Sequence, residues 1–200
     1  MNKDFFAQKA GDYDKNKSRV ENVDNIAKAM LQQGVFDKTM HIIDFGSGTG
    51  LLLERIAPHV KKISAIDIST SMNEQLEAKR DDLPCELEIL QQDLTKEPLA
   101  EQYDGIISSM TLHHVEDIAA IFKTFYAHLK NDGFIALADL DREDGSFHSE
   151  DTGVYHSGFD HDNVKQAALE AGFRNIDIVR ASVVHKPQGD FPVFLLTGVK

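Results

Sequence analysis

Seven residues, Asp44-Phe45-Gly46-Ser47-Gly48-Thr49-Gly50, carry the strongest chemical signal in the chain. Glycines in such a run let the backbone turn tightly and approach a ligand that a Cβ would repel. When a strand precedes the loop and a helix follows, the first N–H groups of that helix point at the same ligand. The spacing is Gly-x-Gly-x-Gly, whereas a dinucleotide-binding loop has Gly-x-Gly-x-x-Gly. Two later carboxylates bear on the same chemistry. Asp67 could accept both hydroxyls of a ribose, and Asp93 could accept from the exocyclic amine of an adenine. Taken singly, the loop could be a structural turn and each aspartate an ordinary turn residue. The elements around them decide.

Hydrophobic periodicity gives those elements an α/β alternation. Val20 to Gln33 reads as a helix with Val23, Ile26, Ala27, Met30 and Leu31 on one face and Gly34 as its stop. His41 to Phe45 is a short buried strand feeding the glycine loop, and Leu51 to Ala57 is the helix after it, closed by Pro58 and His59. Lys62 to Ile68 is a second strand that ends at Asp67, and Ser69 N-caps a helix carrying Met72, Leu76 and Ala78. Leu87 to Leu90 is a third, running out at Gln91-Gln92-Asp93. Tyr103 to Ser109 is a fourth, followed by a helix over Asp117 to Leu129, a tight turn at Asn131-Asp132-Gly133 and a strand over Phe134 to Leu140. Asp141 to Phe159 has no period, and a loop of that length in a compact domain is usually functional or disordered. A helix over Asp162 to Ala171, stopped by Gly172, leads into an antiparallel pair, Phe173 to Val184 and Phe191 to Val199. Asp44, Asp67 and Asp93 thus fall at the ends of three successive strands, where open α/β sheets bind ligands. That register favours a cofactor site over three coincidental turns.

Composition narrows the partners. The 200 residues hold 33 acidic against 21 basic side chains, a net charge of −12, and no basic run beyond pairs such as Lys61-Lys62. Nucleic acid and anionic membranes, which need clustered cations, are therefore poor candidates as main partners. An apolar fraction of 42% suffices for a packed core. No stretch approaches the ~20 apolar residues of a membrane span, and Met1 to Phe6 lack the apolar run of a secretory leader. Cys85, the single cysteine, rules out an internal disulfide and a cysteine-rich metal cluster, and is expected to be a buried structural residue. A cytoplasmic setting follows as the expectation. Without repeats or linkers the chain reads as one domain over 1–200, with a helical cap at 1–35 and a lid-like insertion at 141–160, acting as monomer or homodimer.

Ile42 to Gly50, Ala65 to Ser69, Gln91 to Thr95, Tyr103 to Asp117 and Leu129 to Leu140 resemble the ordered motifs of class I S-adenosylmethionine-dependent methyltransferases. The likeness is nearest to the small bacterial group that includes ubiquinone and menaquinone methyltransferases, and it covers roughly residues 36 to 140. It implies a Rossmann-like, seven-stranded mixed sheet with the last strand antiparallel and helices on both faces. It implies S-adenosylmethionine as cofactor and S-adenosylhomocysteine as an inhibitory product. By the same resemblance Asp44, Gly46 and Gly48, within the loop that also holds Ser47 and Gly50, line the methionine part. Asp67 holds the ribose, Ile68 and Met72 flank the adenine, Asp93 with Leu94 closes its edge, and Ser109 and Met110 floor the pocket. Tyr13-Asp14 resembles a segment that folds over the cofactor in relatives, though a surface turn would read the same.

Methyl transfer from a sulfonium needs a general base only if the acceptor arrives protonated. His114 is the choice for that role, with His113, Asp139, Asp141, His148 and His156 as substrate contacts and His161 beside them. No compact His-x-x-x-His spacing is present, so no metal is expected. Ser108-Ser109-Met110-Thr111 lacks the Asn/Asp-Pro-Pro-aromatic exit of enzymes that methylate nucleobase amines or glutamine, which favours a small-molecule acceptor. Three alternatives stay open beside that reading. They are a cofactor-holding regulatory protein without turnover, a protein methyltransferase, and a nicotinamide-dependent dehydrogenase, the last contradicted by the glycine spacing.

Overall fold

The structure is a computed structural model that describes residues 10–148 and 152–200. Met1 to Phe6 lie outside the described residues, as do parts of the 1–35 cap and the 141–160 segment. Seven strands form one sheet: β1 (His41–Phe45), β2 (Lys62–Ile66), β3 (Glu86–Leu90), β4 (Tyr103–Ser109), β5 (Leu129–Leu140), β6 (Arg174–Lys186) and β7 (Gly189–Val199). Their order is β3-β2-β1-β4-β5-β7-β6, parallel except for β7, which runs antiparallel to both β5 and β6. This is the expected mixed sheet. The chain winds outward from β1 to β3, then returns to place β4 beside β1. The crevice of such a reversal lies at the carboxyl ends of β1 and β4.

Period-two alternation builds a core on each face. Ile42, Ile107, Phe134, Ala136, Val193 and Leu195 pack to one side. Their neighbours Ile43, Ile106, Ile135, Leu137, Phe194 and Leu196 pack to the other. The first face is covered by α1 (Lys17–Gln32) and α2 (Leu51–Ile56), with Leu76 of α3 (Thr70–Glu77). The second is covered by α4 (Ile118–His128) and α5 (His161–Ala171).

Two boundaries differ from the periodicity for local reasons. Helix α1 begins three residues before Val20, because the Asn16 side chain caps it by accepting the Arg19 N–H at 3.0 Å. Strand β5 begins at Leu129, so the expected turn at Asn131-Asp132-Gly133 lies inside its span. It survives there as a break in register between Tyr103 and Gly105 of β4, with Asp132 at φ +62°. Ser69 caps α3 as its sequence position predicts, accepting the Met72 N–H at 3.2 Å. Cys85 is half-buried rather than buried, packed at the edge of the first core, and burial pushes its thiol pKa up.

The described part of the segment after β5 is a loop tied at several points. Arg142 N–H donates to Phe159 O at 2.9 Å, Phe159 N–H to Leu140 O at 2.9 Å, and Tyr155 N–H to His113 O at 3.0 Å. Asp141 accepts from Arg180 at 3.0 Å and lies 2.8 Å from His161 Nε2. Gly158 permits the closest approach, since a Cβ there would stand 2.1 Å from Asp141 O. No helix among the described residues is long and apolar enough to cross a membrane.

Candidate functional site

The glycine loop turns out of β1 with Gly46, Gly48 and Gly50 all at positive φ, +69°, +54° and +84°. Their surroundings differ. A Cβ on Gly46 would lie 2.2 Å from the Thr111 side chain, and one on Gly50 would lie 2.5 Å from Leu76 Cδ1. Nothing stands within 4 Å of the corresponding position on Gly48. Gly46 and Gly50 are therefore held by packing, and Gly48 faces open space. The Asp67 carboxylate accepts the Gly48 N–H at 2.8 Å through Oδ2 and the Ser69 N–H at 2.8 Å through Oδ1. It links the loop to the end of β2.

Above the loop a cavity of about 470 Å³ opens at the carboxyl ends of β1 and β4. Its walls include Tyr13, Arg19, Asn22, Asp44, Gly46, Ser47, Gly48, Ser109, Met110, His113, His148 and Lys186. Several wall groups are buried polar atoms without a hydrogen-bond partner among the described residues: Asp44 Oδ2, Ser47 Oγ, Ser109 Oγ, Asn22 Oδ1 and His148 Nε2. Buried polar groups are normally satisfied, so five on one cavity mark a place for a polar ligand. Asp44 carries the largest cost. Burial, reinforced by the nearby Asp67 carboxylate, pushes its pKa up to about 8. It is thus mostly protonated near neutrality and would ionise only opposite a cation. Met110 adds strain to the same wall at φ +58°, unusual for a non-glycine residue. Its N–H donates to Ala138 O at 2.8 Å, fixing the bend at the end of β4.

The front wall comes from the first described residues. A 3₁₀ turn over Ala10–Lys15 places Tyr13 on the cavity, and Asp14 bolts it down by accepting from Thr49 Oγ1 at 2.6 Å and from Lys79 Nζ at 2.6 Å. Arg19 lies 3.7 Å from the Tyr13 ring centroid and donates to Tyr13 O at 2.6 Å. The Tyr13 phenol pKa is raised by burial, against the opposing pull of the Arg19 charge.

The histidines separate into two groups. His113 is buried, with Nδ1 2.6 Å from Asp139 Oδ1 and its backbone N–H donating to Asp139 Oδ2 at 3.2 Å. Its ring lies 5.1 Å from that of His148, and both rings reach the cavity wall. Burial, with the field of His113 and His114, lowers the His148 pKa to about 4, so the ring is neutral near pH 7. His114, the expected base, is not on that wall. Its Nδ1 donates to Gly153 O at 3.2 Å, and burial followed by the neighbouring His113 lowers its pKa to about 4. His156 and Asp141 also lie away from the cavity. His156 Nε2 is directed at Val115 O at 2.9 Å, and Asp141 is engaged by His161 and Arg180. These three pin the segment after β5.

The expected adenine end is less enclosed. Ile68 stands exposed at 57%, whereas Met72 and Leu94 are buried at 2% and 3%. Asp93 accepts from Thr95 Oγ1 at 2.5 Å and from Lys96 Nζ at 2.5 Å, so its carboxylate is occupied within its own turn. Among the described residues no group of three or more His, Cys, Asp or Glu could hold a metal ion. Arg19, Asn22, Phe147 and Lys186 are wall residues that sequence reasoning missed. Single residues of these types carry no spacing signal, and only the folded walls bring them together.

Residues 15–178 match the family described as "Methyltransferase domain". An uncharacterised methyltransferase of Schizosaccharomyces pombe is 29% identical over 76% of this chain and 57% of its own length. The ubiquinone biosynthesis O-methyltransferase of Coxiella burnetii is 28% identical over 56% of this chain and 48% of its own. The chain thus spans roughly half the length of these curated relatives. The solved structure of N-methyltransferase NodS from Bradyrhizobium japonicum, in complex with S-adenosyl-L-homocysteine, shares the fold with a TM-score of 0.71 at 16% identity. It covers 94% of this chain and 89% of that one.

Proposed function

This chain belongs to the methyltransferase domain family, and from that premise we propose that it carries a methyl group from S-adenosylmethionine to a small-molecule acceptor. The observation behind the proposal is the concentration of unpartnered buried polar atoms around an open Gly48. A ligand with a charged amino-acid end and a ribose fits such walls. When bound, the cofactor supplies a methyl group already activated by a positively charged sulfur.

The chain's own residues bind and orient. Arg19 suits the α-carboxylate of the methionine part, while Asp44 and Asn22 suit its ammonium, with Ser47 and Gly48 lining the approach. Asp67 suits the ribose hydroxyls, sharing them with the two N–H groups it already holds. Exposed Ile68 offers an apolar face to the adenine over buried Met72, with Asp93 and Leu94 at the edge. Ser109 and Met110 form the floor. His113 replaces His114 as the group for proton removal. With its Nδ1–H donated to Asp139, the ring is fixed in the tautomer whose Nε2 can take a proton from an acceptor hydroxyl or ammonium. A cavity of about 470 Å³ is in the size range of small-ligand sites, and the net charge of −12 disfavours polyanionic acceptors.

Calorimetric titration with S-adenosylmethionine, S-adenosylhomocysteine and NAD tests the cofactor half. Saturable binding of the first two, no binding of NAD, and at least tenfold weaker binding in a folded Asp67→Ala variant are expected. Preference for NAD, or affinity untouched in the variant, would overturn it. A radiolabelled methyl screen over phenols, amines and carboxylic acids then separates turnover from cofactor holding alone.

A further inference from the structure

Lys186 closes β6 on the wall of the cavity, and its environment is unlike that of three other partly buried cations. Lys62, Lys79 and Arg55, each about a quarter exposed, have carboxylates at 2.9, 2.6 and 2.8 Å. Lys186 is half-buried, lines the cavity, and has no carboxylate within ion-pair distance among the described residues. Its ammonium lies 3.6 Å from the Phe147 ring centroid and donates one hydrogen bond, to Phe147 O at 2.5 Å. Two of its three N–H donors have no hydrogen-bond partner among the described residues. The carboxylate that acts on it, Glu143, is committed to the Gly145 and Phe147 N–H groups at 2.8 and 3.1 Å. Burial and the field of Arg19 both lower the Lys186 pKa, so the charge is held at a cost that an arriving anion would relieve.

We propose that the acceptor carries a carboxylate, and that Lys186 receives it. The proposal rests on the reading of the site as a methyltransferase centre. There, Arg19 is taken by the cofactor's own carboxylate and His185 is met by Asp190 at 2.6 Å, leaving Lys186 as the wall cation without a carboxylate among the described residues. The charge count favours a carboxylate over a phosphate. A single ammonium balances one negative charge, and the adjacent His148 is neutral and adds none. A phosphate dianion would bring a second charge into a half-buried wall with nothing to meet it.

The test is a matched pair of probes, propionate and propionamide, titrated into the protein saturated with S-adenosylhomocysteine and followed by NMR of the isotope-labelled chain. The expected result is millimolar binding of propionate, at least tenfold preferred over the amide. The preference should vanish in Lys186→Met and persist in Lys186→Arg. Equal binding of the two probes, absence of propionate binding, tighter binding of inorganic phosphate, or a preference that survives Lys186→Met would each overturn the proposal. Thermal unfolding of each variant shows whether loss of the clamp on Phe147 has disturbed the fold, and Lys186→Gln, which removes the charge and keeps an N–H donor, then decides by the same loss of preference. Failure of S-adenosylhomocysteine to bind would instead strike the cofactor reading, and it is seen before any probe is added.

Discussion

Asp44 shows how one carboxyl can couple the site to the stability of the chain. Its pKa is raised from 3.8 to about 8 in the folded protein, so between those values the folded state keeps a proton that the unfolded chain releases. Stability therefore falls as pH rises through that window, by about 4 kcal/mol between pH 5 and pH 8 at ~1.4 kcal/mol per unit. Asp44→Asn removes this contribution. Denaturant melts at the two pH values should show the wild type losing several kcal/mol more than the variant, and equal losses would refute the protonated carboxyl. Asp44 was legible in the sequence because it opens the glycine run at a strand end. Its partnerless oxygen was not, since that depends on the cavity it shares with Asn22, Ser47 and Ser109. Arg19 and Lys186 were invisible for a related reason. A lone cation acquires meaning only from the wall on which it ends.

At the scale of elements, the glycine loop separates packing from binding within five residues. Gly46→Ala would drive a methyl group against Thr111, and the cost should appear as lost stability of ~2 kcal/mol or more, read as a lowered unfolding midpoint. Gly48→Ala meets no atom, so it should cost only the ~1 kcal/mol of a left-handed alanine while weakening S-adenosylmethionine binding at least tenfold. If both variants lose stability alike and Gly48→Ala binds normally, the open side of the loop has no ligand to meet. Most elements could be read from periodicity, because β1, β2 and β4 are buried apolar runs and α3 to α5 carry caps at recognisable positions. The helix face bearing Arg19 began earlier than the apolar pattern, under the control of polar Asn16. The placing of the two imidazoles belongs to this scale too. His113 and His114 are adjacent in sequence, and the 3₁₀ turn over Leu112–His114 sends one toward Asp139 and the cavity and the other toward Gly153.

Across the whole molecule, β7 is the piece on which the far half of the sheet depends. It pairs with β5 over Phe134 to Leu140 and with β6 from Arg174 to Lys186, so β6 reaches the sheet only through it. A chain stopped after Gln188 is expected to lose cooperative thermal unfolding and S-adenosylhomocysteine binding together, and retention of either would show that β1 to β5 stand alone. The seven-stranded mixed sheet was read from the resemblance, and its closing antiparallel pair from the apolar runs of the last two strands, since both are patterns along the chain. The meeting of distant walls had no such pattern. Tyr13 and Arg19 stand on the same cavity as Val184 and Lys186, with the Asn25 amide donating to Ser182 Oγ at 3.4 Å between the helix and strand that carry them. During synthesis the first of these walls leaves the ribosome long before the second has been translated. A nascent chain that already displays its glycine loop still lacks the wall that β6 supplies, so the pocket is complete only once the hairpin of β6 and β7 has emerged and docked.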